Sequence, residues 1–316
     1  MRRKILVTGG AGFIGSNLVD FINRSAPTWD VRVFDDFSSG LMSNLENAEA
    51  EIYSGTVLDL DSLKSAMADI DSVVHLAAIG SVPRSLGSPL ETHQANATGT
   101  LHVLEAARIL GIGHVVMASS SSVYGANPKS PREEKDWTRP VSPYGASKLA
   151  GEGYVNAYAS SYGMKTVALR FFNVYGPRQR ANSPYAAVIP IFLSGALLGS
   201  EIEIHGDGTQ SRDFTYVSDV CEVLFKTCFS YFTHSHPINL AFGTNISINE
   251  LVHTIDSLID RKTKTRYIGG RQGDVHESQA DIKLFSTLFP NLKPVPLTDG
   301  LATTIASLRE GLSLGS

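Results

Sequence analysis

The chain has little cysteine and no surplus of positive charge: of 316 residues two are Cys, and 27 Lys and Arg stand against 31 Asp and Glu, a formal charge of -4. A nucleic-acid binder or polybasic membrane binder needs a cationic excess to hold phosphates, so both classes are disfavoured. Cys221 and Cys228 form no CxxC motif and have no His cluster beside them. That excludes a disulfide scaffold and gives no metal site, and both are expected as buried helix residues. No run of eighteen apolar residues occurs, so no membrane span is expected. The start, Met1 to Thr8, turns polar and glycine-rich too soon for a signal peptide. A reducing cytoplasm is the expected location.

What the chain does have is alternation. Short β-branched runs at Lys4 to Thr8, Val31 to Asp35, Ser72 to Ala77, His114 to Ser119 and Lys165 to Phe171 are separated by amphipathic stretches at Ile14 to Arg24, Asp61 to Met67, Thr92 to Leu110 and Tyr144 to Tyr162. Apolar strands alternating with helices predict an α/β fold with a doubly wound parallel sheet covered on both faces. After Phe172 the rhythm breaks at Gly176-Pro177, Ser183-Pro184 and Gly206-Asp207-Gly208, with one more strand-like run at Ile238 to Ala241. The expected division is a nucleotide-binding domain over 1–171, with a return segment over 213–241. A smaller α+β domain is expected over 172–212 and 242–316. Their ligand cleft is expected beyond the carboxyl ends of the parallel strands.

Gly9, Gly12 and Gly15, with Phe13 and Ile14 between the last two, form G-x-x-G-x-x-G at the junction of the first strand and first helix. Glycines there let the backbone approach a pyrophosphate whose charge sits on the helix N-terminus. Twenty residues past Gly15, Asp35-Asp36 ends the second strand, where a carboxylate accepts a ribose 2′-hydroxyl and repels a 2′-phosphate. The pattern predicts NAD.

Tyr144 and Lys148 lie four apart at the start of a predicted helix, on one face. A phenol is a poor base at its ordinary pKa of ~10, but a neighbouring ammonium stabilises its anion and makes it a general base. Ser119, Ser120, Ser121 and Ser122 end the fourth of these strands, and their hydroxyls are candidates to donate to a substrate oxygen.

With these elements the sequence resembles the extended short-chain dehydrogenase/reductase family, Rossmann-type proteins that include NAD-dependent sugar-nucleotide epimerases and dehydratases. The resemblance runs from Lys4 to about Leu301 and includes His75-Leu76-Ala77-Ala78, Asn96 and Arg170-Phe171-Phe172-Asn173-Val174-Tyr175-Gly176-Pro177. It implies that Tyr144 and Lys148 carry out the chemistry with Ser120 and Ser122 assisting. It also implies that Leu76, Ala77, Ala78, Asn96, Ser119 and Phe171 line the cofactor. Thr56 departs from the family's usual Asp in the Gly-Asp-aliphatic adenine contact.

Family dehydratases carry Asp-Glu just before Val-Tyr-Gly, and Ser121 and Ser122 stand there instead. Elimination of water needs that acid and base, whereas epimerisation needs one base and a reversible hydride transfer. The resemblance therefore implies a UDP-sugar 4-epimerase: Tyr144 takes the C4 hydroxyl proton, a 4-keto sugar forms, and hydride returns on the other face. It assigns Arg212, Arg271, Asp274 and Asn173 to the nucleotide or sugar. Ser278, where family members restricted to small substituents carry Tyr, leaves room for an N-acetyl group. The segments containing Ser81 and Arg84, and Ala187 and Val188, are similar to the bacterial group acting on UDP-N-acetylglucosamine and UDP-N-acetylgalactosamine, although His276 departs from that group's Arg. A UDP-glucuronate 4-epimerase is the closest alternative, since Gly176-Pro177-Arg178-Gln179-Arg180 also fits that group. A dehydratase and a non-catalytic NAD-binding regulator remain as further alternatives. The resemblance also implies a homodimer through the helices near Thr92 to Leu110 and Tyr144 to Tyr162.

Overall fold

The computed structural model describes residues 3–181, 185–270 and 277–313. The chain divides into two compact units: Met1–Asn127, Glu134–Phe171 and Val220–Leu240 form the first, and Pro128–Glu133, Phe172–Asp219 and Ala241–Ser316 the second. The segment returning to the first unit begins at Val220, so Asp213–Asp219, expected with the sheet domain, lies in the second unit.

The first unit is built on β1 (Lys4–Thr8), β2 (Asp30–Asp35), β3 (Glu51–Ser54), β4 (Ser72–His75), β5 (His114–Ser120), β6 (Lys165–Phe171) and a last strand, Ile238–Leu240. From one edge the order is Ile238–Leu240, β6, β5, β4, β1, β2, β3, and every pairing is parallel. Ile5, Leu6, Val7, Val73, Val74, Val115 and Val116 are buried. A central parallel strand has helices on both faces, which is why these runs are continuously apolar. The helices are α1 (Phe13–Ser25), α2 (Leu60–Ala66), α3 (Val82–Gly87), α4 (Pro89–His93), α5 (Gly99–Ile109) and α6 (Pro143–Tyr162).

Two features depart from the sequence expectation. The edge strand β3 was not anticipated, because Glu51-Ile52-Tyr53-Ser54 lies mostly exposed and has no buried run to mark it. The single helix expected over Thr92 to Leu110 is interrupted by a π-helical turn, Gln94–Thr98, between α4 and α5. Such widened turns re-aim a side chain, and this one carries Asn96.

Helix α6 has strong end signals. The Ser142 hydroxyl accepts from the Gly145 amide, Pro143 takes the first helical position, and Gly163 ends the helix at φ +67°. Its buried face holds Gly145, Ser147, Lys148, Gly151, Glu152, Val155 and Tyr158, so two charged residues lie within a stripe of otherwise small, apolar or aromatic residues. Cys221 and Cys228 are buried on helix Val217–Ser230. No helix among the described residues is long and apolar enough to cross a membrane.

In the second unit, Ile202–His205 pairs in parallel with Thr265–Ile268. Strand Ser211–Arg212 lies between Ile246–Ser247, antiparallel to it, and Glu277–Ser278, parallel, with Ser278 opposite Arg212. Asp213, fully buried, ties this region together. Its carboxylate accepts from the amides of Gly243, Thr244 and Ala280 and from the Thr244 hydroxyl, at 2.9 to 3.2 Å. Burial raises its pKa to about 6 against the pull of these donors, so the group is ionised at pH 7.5. Asp213→Asn would turn an amide NH2 onto two of the donors whichever way it faced. We expect a loss of about 3 kcal/mol, read as a lower urea midpoint at pH 7.5.

Candidate active site

The glycine turn follows from close approach. Gly9 has φ +70°, donates its amide to the Phe34 carbonyl at 2.8 Å, and has no room for a Cβ, which would stand 2.6 Å from the Ala77 nitrogen. A Cβ on Gly15 would run into the Gly9 carbonyl oxygen. Gly12 caps α1 without a side-chain hydrogen bond, and half-buried Phe13 and Ile14 open the helix. No side chain caps the first amides of α1, and their geometry suits an anion.

Asp35 is buried at the end of β2, where it accepts from the Ala11 amide at 2.9 Å and the Phe37 amide at 2.8 Å. Burial raises its pKa, while these two bonds lower it and Asp36 raises it further. The carboxylate thus braces the glycine turn itself through the Ala11 amide. Asp36 is exposed and accepts from the Ser38 amide.

Leu76, Ala77 and Ala78 follow β4 in a half-buried strip. The Leu76 amide donates to the Thr8 carbonyl at 3.1 Å. Asn96 accepts from the Ile79 amide at 2.8 Å and donates to the Ile79 carbonyl and the Ser147 hydroxyl. Both amide hydrogens of Asn96 are engaged within the protein, so it shapes this strip and has no donor left for a ligand.

The Ser120 hydroxyl lies beside the Tyr144 phenol; burial raises the pKa of that phenol and Ser120 lowers it. One turn along α6, Lys148 is 5% exposed and donates to the Ala118 carbonyl at 2.9 Å. Burial lowers its pKa to about 8, with Glu152 opposing the fall. Tyr144, Lys148 and Ser120 are thus gathered against the carboxyl end of β5. Ser121 and Ser122 lie in the short 3-10 turn Ser121–Val123, with the Ser122 amide donating to the Ser120 hydroxyl at 3.1 Å. The Ser119 hydroxyl donates to Glu152 at 2.5 Å. Phe171 is buried at the end of β6. Ser81 caps α3 by accepting from the Arg84 amide.

Sequence reasoning passed over His75, which bonds to the Thr8 hydroxyl at 2.8 Å and the Thr100 hydroxyl at 3.0 Å. Burial and then the Lys148 charge hold its pKa down to about 3, so it is a neutral spacer beside the lysine.

The second unit contains a cavity of about 510 Å3, and of the residues expected on a substrate it brings together Asn173, Ala187, Val188 and Arg212. Asn173 sits at φ +30° and donates to the Asp213 carbonyl at 3.0 Å. Ala187 caps helix Val188–Leu198 without a side-chain hydrogen bond. Half-buried Ser278 pairs with Arg212 along the neighbouring strand. Phe192, His205, Gln210 and Phe214 also line the cavity and carry no motif that would have singled them out. Arg271, Asp274 and His276 fall outside the described residues.

Comparison with known proteins fits this arrangement. The NAD dependent epimerase/dehydratase family matches residues 5–241. The chain belongs to this family. A putative UDP-glucose 4-epimerase of Methanocaldococcus jannaschii is 36% identical over 304 residues, 95% of this chain and 97% of the relative. The UDP-N-acetylglucosamine 4-epimerase of Methanobrevibacter ruminantium, solved with UDP-N-acetylmuramic acid, shares 38% identity, with a TM-score of 0.92 covering 98% of this chain and 100% of that one. The UDP-glucuronic acid 4-epimerase of Bacillus cereus, solved with UDP-glucuronic acid and NAD, shares 30% identity, with a TM-score of 0.88 covering 97% and 99%.

NAD is the cofactor of this NAD-dependent enzyme family, and the residues present fit it. The glycine cradle that any Cβ would fill, the open N-terminus of α1 and the carboxylate of Asp35 match a diphosphate flanked by a ribose. Gly15→Ala must push the turn apart. We expect NAD affinity at least about tenfold weaker, a cost of about 1.4 kcal/mol, measured by calorimetric titration of protein freed of nucleotide.

Proposed function

We propose that the protein is a 4-epimerase of a UDP-sugar and interconverts UDP-N-acetylglucosamine and UDP-N-acetylgalactosamine. The observation that carries this reading is the Ser120–Tyr144–Lys148 group with hydroxyls, not carboxylates, in the turn beside it. Bound NAD supplies the hydride acceptor and, once reduced, the donor that returns the hydride.

Tyr144 is the base: its phenolate accepts the C4 hydroxyl proton and returns it when the keto group is reduced. Ser120, beside the phenol, holds its pKa down and is suited to donate its one hydroxyl hydrogen to the phenolate or to the sugar oxygen in turn. The Lys148 ammonium favours the phenolate electrostatically. With hydroxyls at Ser121 and Ser122, the serine turn holds no carboxyl group to protonate a leaving hydroxyl, which argues against dehydration. In the second unit, Arg212 and the open helix start at Ala187 and Val188 suit a diphosphate, and Asn173 a sugar or phosphate edge. The aromatic Phe192 and Phe214 suit a pyrimidine base. The small side chain of Ser278 supports the N-acetyl assignment.

The protein is proposed to work as a homodimer in the cytoplasm. Tyr154 and Tyr162 on α6 and Ile109 at the end of α5 are exposed, on two helices that pack side by side. Exposed apolar residues on such a pair suit a four-helix interface with a second copy.

Purified enzyme is expected to epimerise UDP-N-acetylglucosamine faster than UDP-glucose and to leave UDP-glucuronate unchanged, followed by chromatography of the nucleotide sugars. Turnover of UDP-glucuronate alone would replace the N-acetyl reading with the glucuronate one. Tyr144→Phe should lower kcat about 10^3-fold while NAD stays bound. Undiminished turnover in that variant would refute Tyr144 as the base.

A further inference from the structure

We infer that Glu152 and Arg170 form a buried positioning pair that fixes the catalytic face of α6 against the end of β5 and keeps Lys148 in its cationic form. The inference rests on the proposed role of the Tyr144–Lys148 group. It extends that role to two residues that touch neither cofactor nor substrate in the proposed mechanism.

Tyr144, Lys148 and Glu152 are spaced by four on α6 and occupy one stripe of the helix. Each meets a different one of three consecutive β5 residues. Tyr144 lies beside Ser120, Lys148 donates to the Ala118 carbonyl, and Glu152 accepts from the Ser119 hydroxyl. The three pairs form a polar seam that allows one register between helix and strand. Glu152 is its anchor, because only that side chain is also clamped from a second strand. Arg170 on β6 donates from Nε to one carboxylate oxygen at 2.9 Å and from its terminal nitrogen to the other at 2.8 Å.

Arg170 is held in turn. It donates to the Glu134 carbonyl at 3.2 Å and lies over the Tyr124 ring at 4.6 Å. The Tyr124 hydroxyl donates to Asn239, and the Asn239 amide donates to the Glu134 carboxylate. Glu152 is 2% exposed and Arg170 3%. A buried ion pair seldom stabilises a fold more than apolar residues of the same size would. An apolar pair, however, could neither accept from Ser119 nor place a negative charge one turn from Lys148.

The groups that bear on the Lys148 ammonium are Tyr144 and Glu152 on its own helix, neutral His75 on β4, the Ala118 carbonyl on β5, and Arg170 on β6 behind Glu152. Of these, Glu152 favours the cation. Glu152→Gln removes that charge and leaves the Arg170 charge uncompensated, so both effects push Lys148 to lose its proton at lower pH. Glu152→Gln with Arg170→Met also removes the Arg170 charge and should restore only the part of the fall that this charge causes, since the carboxylate that favours the cation is still missing.

The test is a pH titration read in two ways: the kcat profile with UDP-N-acetylglucosamine, and the Lys148 13Cε resonance in protein free of nucleotide. For Glu152→Gln the alkaline limb of kcat and the Lys148 midpoint should both fall by about one pH unit, a tenfold change in proton affinity, with KM within about twofold of wild type. In the double variant both should lie between those of Glu152→Gln and wild type, and a full return to wild type would overturn the role given to Glu152. If Glu152→Gln merely lowers the melting temperature and leaves the limb and the resonance unmoved, the pair is structural only and the inference is overturned. Tyr144→Phe run in parallel separates the two readings. If it turns over normally, the catalytic assignment fails. If it is inactive while Glu152→Gln titrates like wild type, the positioning pair fails alone.

Discussion

The constraint on which the first unit turns is the burial of a lysine. An ammonium removed from water costs several kcal/mol unless its protons are bonded and its charge is answered. Lys148 meets that requirement with the carbonyl of Ala118 and the nearby carboxylate of Glu152. The carboxylate then needs Arg170, whose guanidinium needs the Glu134 carbonyl and the Tyr124 ring. One buried charge therefore recruits residues from α6, β5, β6 and the loops beyond them. The benefit is pre-organisation, since a cation and a phenol held one helical turn apart need little rearrangement when a proton moves.

The second unit solves a similar problem with a carboxylate in place of a cation. Asp213 gathers four donors from the Gly243–Thr244 loop and from Ala280, so the strand carrying Arg212 stays beside the strand carrying Ser278. In each unit a buried ionised group adjoins a residue assigned to the ligand, and in each its partners come from distant segments. Neither Glu152 nor Asp213 belongs to a short motif. Their importance comes from who surrounds them.

This explains how much could be read from the sequence. The bounds of β1 and β6 follow their β-branched runs, and the glycine turn with Asp35 is legible because its spacing is local. The edge strand β3 escaped because its residues are largely exposed and alternate weakly. The π-helical turn escaped because helical periodicity continues through it; only the bonds of Asn96 to Ile79 and Ser147 reveal why the turn widens there. The tie of the Ser119 hydroxyl to Glu152 is not legible in the serine run, because Glu152 lies 33 residues further on, on α6. The cavity residues Phe192, His205 and Gln210 come from separate elements, so no linear pattern gathers them.

The polarity of the catalytic group also bears on reversibility. An epimerase must protonate and deprotonate one oxygen with little bias, because its two sugars differ only in the orientation of one hydroxyl. A carboxyl group beside the sugar, paired with a base for the C5 proton, would open a route from the keto intermediate to loss of water. The Ser120–Tyr144 pair instead offers a hydroxyl and a phenol, and the nearby His75 is held neutral between Thr8 and Thr100. Within the fold, the charge proposed to tune the phenol is the ammonium of Lys148, with Glu152 and Arg170 behind it. Placing the control of basicity behind the helix, away from the substrate, leaves the groups proposed to face the sugar suited to passing one proton in either direction.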